Sequence, residues 1–441
     1  MKTSKRAYSG KPVYIIDGAR TPFLKANGQS PQFSASDLAV SASRALLLRQ
    51  RFAVTDIDEV IFGCVMPGPD EANIARIIAL RLGCNHSTTA WTVQRNCASG
   101  LQAIDSAAQS ISQGRADIVL AGGTEAMSLA PVLFNQHMVN WLSSWARSRD
   151  IPSKIKTALK FRPQMLVPVI GLLRGLSDPV VGLSMGQTAE KLAYRFGITR
   201  EEMDTFSLQS HQRLAAAQDE SKLGEIIPLY DHMGKCYTDD SGLRRDGSLE
   251  KMARLRPVFD KHFGLVTAGN SAQITDGAAS LVLASESAVK KYKLTPIARI
   301  IDAQWAGLDP SEMGLGPVHA MTPIMKRHKL SVADVDYWEI NEAFSTQVLA
   351  CLAAWNDAEY CKQQLSLKES MGTIPSDRLN IDGGGISLGH PVGTSGARIV
   401  LHLVKTLHQQ NALRGMASLC IGGGQGGAML IEKMEGTLYD K

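Results

Sequence analysis

One pattern occurs twice in this chain, and it limits the folds available. Asn96-Cys97-Ala98-Ser99-Gly100 opens a stretch, residues 98–113, whose apolar Leu101, Ile104, Ala108 and Ile111 share one helical face. A continuous apolar run, 118–121, follows and ends at Gly122-Gly123, which predicts a buried strand stopped by a tight turn. Far downstream, Gly389-His390-Pro391-Val392-Gly393 leads through Thr394-Ser395-Gly396 into a helical stretch over 397–408, with Val400, Leu403, Val404 and Leu407 apolar. An apolar run, 417–421, then meets Gly422-Gly423-Gly424. Helix, strand and glycine turn recur in the same order at similar spacing. The simplest account is two related α/β halves packed together, each turning its helix start towards a shared centre. Smaller signals agree with α/β: a strand over 13–16 ending at Asp17-Gly18, a helix over 37–48 and a strand over 60–64.

Between the copies, residues 131–266 read differently. Pro163, Pro168, Pro179 and Pro228 interrupt them, and helical patches cover 185–196 and 201–217. From 131 to 186 there are seven basic residues (Arg147, Arg149, Lys154, Lys156, Lys160, Arg162 and Arg174) against Asp150 and Asp178 alone. An apolar patch at 165–173 is broken by Pro168 and Gly171. The expected organisation is a first half over 1–130 and 267–292, a loop domain over 131–266 able to cover a ligand, and a second half over 293–441.

The seven cysteines of this 441-residue chain are scattered and form no CxxC pair. That argues against a disulfide framework or a zinc site and for a reducing compartment, the cytoplasm. No metal is expected. No apolar h-region precedes Lys11, so no secretory leader is expected, and no apolar stretch is long enough to cross a bilayer. The formal charge is only +5, concentrated in one apolar-rich segment without a nucleic-acid motif, so nucleic acid is not an expected partner.

Cys97 at a helix start lies beside unpaired N–H groups and the positive end of the helix dipole, which predicts a lowered thiol pKa. A histidine brought near it, His390, can take the thiol proton. The pair points to acyl transfer through a thioester. Taken alone, Cys420 is a core residue at a strand end, and Asn341 caps a helix beginning at Glu342. The glycines of 422–427 lack the Lys-Ser/Thr of a phosphate-binding P-loop.

Four clusters in order, Asn96-Cys97-Ala98-Ser99-Gly100, Asn341-Glu342-Ala343-Phe344, Gly389-His390-Pro391 and Cys420-Ile421-Gly422-Gly423-Gly424, make the chain resemble the thiolases, which make or cleave 3-ketoacyl-CoA. Gly18-Ala19-Arg20-Thr21-Pro22-Phe23 is a further landmark, and the resemblance covers essentially the whole chain. It implies a layered α-β-α-β-α fold with an inserted loop domain. It implies Cys97 as the nucleophile that becomes acylated and His390 as its base. Cys420 is then the acid/base for the acetyl-CoA enolate, and Asn341 holds a water for one oxyanion hole. The N–H groups of Cys97 and Gly422 form a second. Coenzyme A enters as substrate, with no bound cofactor.

Thr267-Ala268-Gly269-Asn270-Ser271-Ala272 resembles the family's segment beside the pantetheine arm, where serine often stands at the place of Ala272; here Ser271 precedes it. Met185, Met313 and Phe344 resemble the apolar lining of that pocket, with plain core packing as the other reading. Arg256 is a candidate for the nucleotide end of CoA, or a plain surface arginine. Ser184 stands where short-chain biosynthetic members have histidine. The Asn341 motif is the common thiolase form, whereas the long 131–186 segment resembles the extra loop of β-subunits from β-oxidation complexes. The expectation is a degradative 3-ketoacyl-CoA thiolase, a homodimer or homotetramer, whose basic apolar segment docks on a membrane surface or a hydratase/dehydrogenase subunit, or else packs within its own oligomer. The alternatives are an acetoacetyl-CoA thiolase running Claisen condensation and, more distantly, a ketoacyl carrier-protein synthase or a non-catalytic lipid carrier. A carrier is expected to have lost Cys97, His390 or Cys420, and all three are present.

Overall fold

The computed structural model describes residues 10–26 and 33–435; the outer ends of both expected halves, and the leader reading before Lys11, fall largely outside them. In chain order, the strands of the main sheet are β1 (Val13–Arg20), β2 (Glu59–Gly63), β3 (Thr89–Val93), β4 (Ile118–Ala126), β5 (Thr275–Ser285), β6 (Ala298–Gly307), β7 (Tyr337–Ile340), β8 (Arg414–Ile421) and β9 (Gln425–Lys433). The principal helices are α1 (Ala35–Leu47), α2 (Ile74–Leu82), α3 (Ser99–Ser112), α4 (Gln136–Arg147), α5 (Ile151–Ala158), α6 (Met185–Phe196), α7 (Arg200–Asp219), α8 (Gly316–His328), α9 (Ser345–Asn356) and α10 (Val392–Gln409).

The repeated pattern has a structural counterpart. In the first half the strands lie in the order β2-β4-β5-β1, and in the second β7-β8-β9-β6. In each, the first pair is parallel and the next two pairs are antiparallel. β3 extends the first half's edge beside β2, and Leu24–Lys25 adds a short strand to β5. The two sheets meet along a seam where Val13, Tyr14 and Ile15 pair with Ile300, Arg299 and Ala298, so one hydrogen-bonded path runs through both halves.

Among the described residues, three large apolar cores hold five layers together. The central one joins α3 and α10, through Leu101, Ile104, Val400 and Leu403, to the inner faces of both sheets. A second packs α1 and α2 on the outer face of the first sheet; the third packs α8 and α9 on the outer face of the second. α1, α3 and α10 bury the apolar stripes that their spacing announced, and such burial, at roughly 25 cal/mol per Å² of apolar surface, is the main stabilising term.

Two expected turns are absent. Asp17 and Gly18 do not end β1, which continues to Arg20 with a bulge between Ile15 and Asp17. Gly122 and Gly123 do not stop β4, which runs on to Ala126. These two glycines instead allow close approach: a Cβ on Gly122 would lie 2.2 Å from the Ala279 carbonyl oxygen, and one on Gly123 2.1 Å from that of Gly393. In the second half the glycine turn is real. Gly423 and Gly424 have φ of +90° and +75° and reverse the chain between β8 and β9.

The echoed Ser-Gly pairs lie inside the first turns of α3 and α10, so α10 starts at Val392 rather than 397. They mark where the helices cross. A Cβ on Gly100 would lie 2.8 Å from the Ala397 nitrogen; one on Gly396 would lie 2.5 Å from the Leu101 nitrogen. Only glycine at both positions lets the two helix starts touch.

The 131–266 excursion is more ordered than its sequence suggested, holding α4 to α7 and a ribbon pairing Val132–Phe134 with Pro168–Ile170. A buried ionic cluster ties it to both halves. Arg20 donates to both oxygens of Asp240, at 2.7 and 2.8 Å, and lies 3.5 Å from Glu225, which also meets His402 Nδ1 at 3.0 Å. Burial pulls the His402 imidazole down, but the Glu225 charge and the nearby Asp382 outweigh it and hold the pKa up at about 10. Among the described residues no helix is long and apolar enough to cross a membrane.

Two predictions follow from this packing. Gly396→Ala, measured by urea unfolding, will destabilise the protein by about 1–3 kcal/mol, because the added methyl meets backbone. The His402 contribution is fully present below the unfolded-state pKa, about 6.5, and is lost as pH rises through about 10. Unfolding free energy will therefore fall across that window, and His402→Gln will flatten the slope.

Candidate active site

The crossing of α3 and α10 decides where the reactive groups stand. Cys97 lies two residues before α3 and His390 two residues before α10. Cys420 is the last residue but one of β8, and Gly422 opens the turn after it. All four line one cavity of about 400 Å³. Met185, Met313, Phe344 and Ser271 line it as well, as the sequence led us to expect.

Cys97 is half-buried, and burial pushes its thiol up to about 11, opposite to the lowered pKa expected from the helix start. Desolvation outweighs the helix end. The backbone N–H groups of Gly422 and of Cys97 itself pull the pKa partly back, while the Glu125 charge opposes them. Cys420 is fully buried; burial and the neighbouring Cys97 raise its thiol well above the ordinary value.

His390 is 8% exposed, and burial, helped by the Arg398 charge, lowers its imidazole to about 4. It is neutral at physiological pH. Its tautomer follows from Ser395: the hydroxyl lies 3.1 Å from the Pro391 carbonyl, which can only accept, and 2.6 Å from His390 Nδ1. With its single hydrogen on Pro391, Ser395 Oγ accepts Nδ1–H and leaves the lone pair on Nε2; the longer approach of the Asn341 amide nitrogen to Nδ1, 3.4 Å, is then a contact and not a hydrogen bond. Among the described residues Nε2 is buried without a partner. Asn341 stands behind the imidazole, its Nδ2 3.4 Å from Nδ1, and its Oδ1 is likewise buried without a partner. Asn341 caps no helix, because the chain stays extended through Phe344 and α9 begins at Ser345.

Arg256 is exposed and does not line the cavity. The cations that do are half-buried Lys25 and exposed Arg244, and no acidic side chain lines the cavity among the described residues. Burial, then the charge of Arg244, lowers the Lys25 amine. Ser184 lies away from the cavity and caps α6, its Oγ accepting the Gln187 N–H at 3.3 Å. Ser271 lines the cavity with its hydroxyl hydrogen already given to the Thr267 carbonyl at 2.7 Å, so toward a ligand it can only accept.

Several supporting residues carried no role in the sequence. Ser395 sat in the echoed Thr-Ser-Gly and could have been found there. The Glu125 carboxylate accepts the N–H groups of Val65 (2.9 Å), Met66 (3.0 Å) and Gly393 (2.9 Å), clamping the start of α10 to the first half. Burial pushes it up to about 7. Glu342 accepts from Ser210 Oγ (2.6 Å) and Asn380 Nδ2 (2.8 Å), holding the Asn341 loop in place. Neither glutamate's long-range partners could be read from its neighbours in sequence.

A polarised nucleophile position, a neutral imidazole with a free Nε2, and a second thiol at one apolar cavity suit acyl transfer. The comparisons with known proteins agree. The thiolase N-terminal domain family matches residues 13–287 and the thiolase C-terminal domain family residues 294–433. The mitochondrial 3-ketoacyl-CoA thiolase of Rattus norvegicus is 38% identical over 425 residues, 95% of this chain and 98% of that protein. The mitochondrial trifunctional enzyme subunit beta of Bos taurus is 34% identical over 421 residues, 95% of this chain and 88% of that one. Among solved structures, the acetyl-CoA acetyltransferase of Bacillus anthracis superposes with a TM-score of 0.83 at 35% identity, covering 96% of this chain and 99% of that one. Human mitochondrial 3-ketoacyl-CoA thiolase in complex with CoA gives 0.81 at 36% identity, covering 96% and 98%. With both family domains matched in order around this cavity, the chain belongs to the thiolase family and is an acyltransferase.

Proposed function

We propose that the protein cleaves 3-ketoacyl-CoA by thiolysis, giving acetyl-CoA and a chain-shortened acyl-CoA, as a step of fatty-acid β-oxidation. The observation that carries this reading is the convergence of Cys97, His390, Cys420 and the Gly422 N–H on one cavity. His390 Nε2 takes the Cys97 proton as the sulfur adds to the 3-keto carbon. The alkoxide so formed is held by positioned donors, each commonly worth about 3–4 kcal/mol in the barrier. Collapse breaks the Cα–Cβ bond, and Cys420 protonates the departing acetyl-CoA enolate. The acyl group stays on Cys97 as a thioester until a free CoA thiol gives its proton to the Cys420 thiolate and attacks it; the Cys97–acyl bond breaks and His390 returns its proton to the departing Cys97 sulfur. The N–H groups of Cys97 and Gly422 are the donors of one oxyanion hole. The unpartnered Asn341 Oδ1 suits the water of the other.

Degradation is preferred over acetoacetyl-CoA synthesis because the cavity is apolar and part of its wall, Leu176, Met185, Val258 and Phe259, comes from the excursion, with room for a chain beyond acetyl. Lys25 and Arg244 suit the anionic end of CoA. The half-exposed edge strand β3 is free to pair with a second copy, which supports a homo-oligomer.

The excursion supports contact with an anionic membrane surface. The seven cations of residues 131–186 are all exposed, as are Leu133, Phe134, Leu159, Leu166 and Val167. The two acids of the same 131–186 segment are engaged locally: Asp150 caps α5, and Asp178 is buried, bonding the Val180 and Val181 N–H groups. Apolar side chains among cations favour anionic headgroups.

Thiolysis of 3-ketoacyl-CoA will rise from four-carbon to longer chains and fall by at least about a thousandfold in Cys97→Ala; activity confined to acetoacetyl-CoA would favour the synthetic alternative. The acid limb of kcat/KM will lie near the His390 pKa, about 4, with activity lost below it as Nε2 is protonated, and His390→Gln will remove that limb. In flotation, the protein will rise with phosphatidylglycerol vesicles and not with phosphatidylcholine. The combined Lys154→Glu, Lys156→Glu and Lys160→Glu variant will stay behind. Equal flotation of variant and wild type, or capture only by a hydratase/dehydrogenase subunit, would sink the membrane reading.

A further inference from the structure

Asn96 precedes the nucleophile and takes no part in the steps above. Its backbone is left-handed, with φ of +44°, a conformation that asparagine adopts more readily than most residues. Ser99 braces it on both sides. Ser99 Oγ accepts the Arg95 N–H at 2.8 Å and donates to the Asn96 carbonyl at 2.7 Å, while the Ser99 N–H bonds the same carbonyl at 3.1 Å. From this fixed base the side chain crosses between the halves, and Nδ2 donates to the Gly422 carbonyl at 2.8 Å.

Gly422, Gly423 and Gly424 have no side chains with which to hold themselves. The far end of their turn is tied by the Leu308 N–H to the Gly424 carbonyl at 2.8 Å. At the near end, the Asn96 carboxamide grips the carbonyl of the residue whose N–H lowers the Cys97 thiol pKa. The nucleophile loop thus sets the position of a donor that comes from the other half. A side chain on Gly422 would crowd this arrangement, since its Cβ would lie 3.2 Å from Met185 Sδ.

We propose that Asn96 is a positioning residue that holds the glycine turn so that the Gly422 N–H stays on the Cys97 sulfur, supporting first the thiolate and then the oxyanion. The oxyanion part rests on the thiolase reading above; the thiolate part does not.

The test compares Asn96→Gly and Asn96→Ala. Both lose the carboxamide, but only glycine keeps the left-handed backbone free of strain. Two rates are read: alkylation of Cys97 by iodoacetamide against pH, and acylation of Cys97 by 3-ketoacyl-CoA. The alkylation profile is expected to move up by about one pH unit in both variants, read as an approximately tenfold slower reaction at pH 9. Acylation is expected to slow by about tenfold or more, with KM unchanged and the circular dichroism of the wild type. An unchanged alkylation profile in Asn96→Gly overturns the proposal, even if melting temperature drops, because the residue is then only structural. A shift confined to Asn96→Ala overturns it too, because strain rather than the carboxamide is then responsible. If wild-type Cys97 is alkylated but never acylated, the thiolase reading fails while the alkylation comparison still decides the role of Asn96.

Discussion

The site depends on the contact between the starts of α3 and α10. Each helix begins next to a reactive residue, and the two belong to different halves. Gly100 and Gly396 let the backbones meet, and Gly123 makes room for the Gly393 carbonyl. Without that approach, Cys97 and His390 would be two well-made helix entrances facing different ligands. Glu125 adds a polar clamp at the same join, through Gly393 on one side and Val65 and Met66 on the other. The active site is thus a product of the pseudo-symmetric packing, and the small residues at the crossing are part of its chemistry.

Burial then sets the protonation states. A thiol raised to about 11 beside an imidazole lowered to about 4 is a neutral pair in the resting protein. A charged pair would have to be desolvated before substrate arrives; the neutral pair needs no such cost and forms charge only as the sulfur adds. On the proposed mechanism the donors stand ready for that moment, because the backbone N–H groups of Cys97 and Gly422 already lower the thiol pKa. The helix start contributes through these oriented N–H groups more than through a resting thiolate.

What the sequence made legible is local. Cys97, His390, Cys420 and Gly422 each lie in a short string whose residue types match their surroundings, and helical and strand periods placed the core of both halves. The errors have one cause. Gly122-Gly123 reads as a turn because glycine usually signals one, yet its requirement comes from Ala279 and Gly393, far away in the chain. Arg256 was a reasonable cation for CoA by its neighbours, but Lys25 of the first half and Arg244 of the excursion are the ones that reach the cavity. The roles of Glu125, Glu342 and Asn96 depend on partners that only the fold brings close.

On the proposed reading, the excursion links substrate scope to membrane contact. Its inner side supplies Leu176, Met185, Val258 and Phe259 to the cavity, so the residues that meet an acyl chain sit on the segment that distinguishes this chain's middle from its two repeated halves. Its outer side leaves Leu133, Phe134, Leu166 and Val167 in solvent among cations. The buried Arg20–Asp240 pair and the His402–Glu225 pair fasten its base to both halves. Because buried ion pairs fasten that base to both halves, a surface bound to the outer side, as proposed, would lie across the excursion from the cavity.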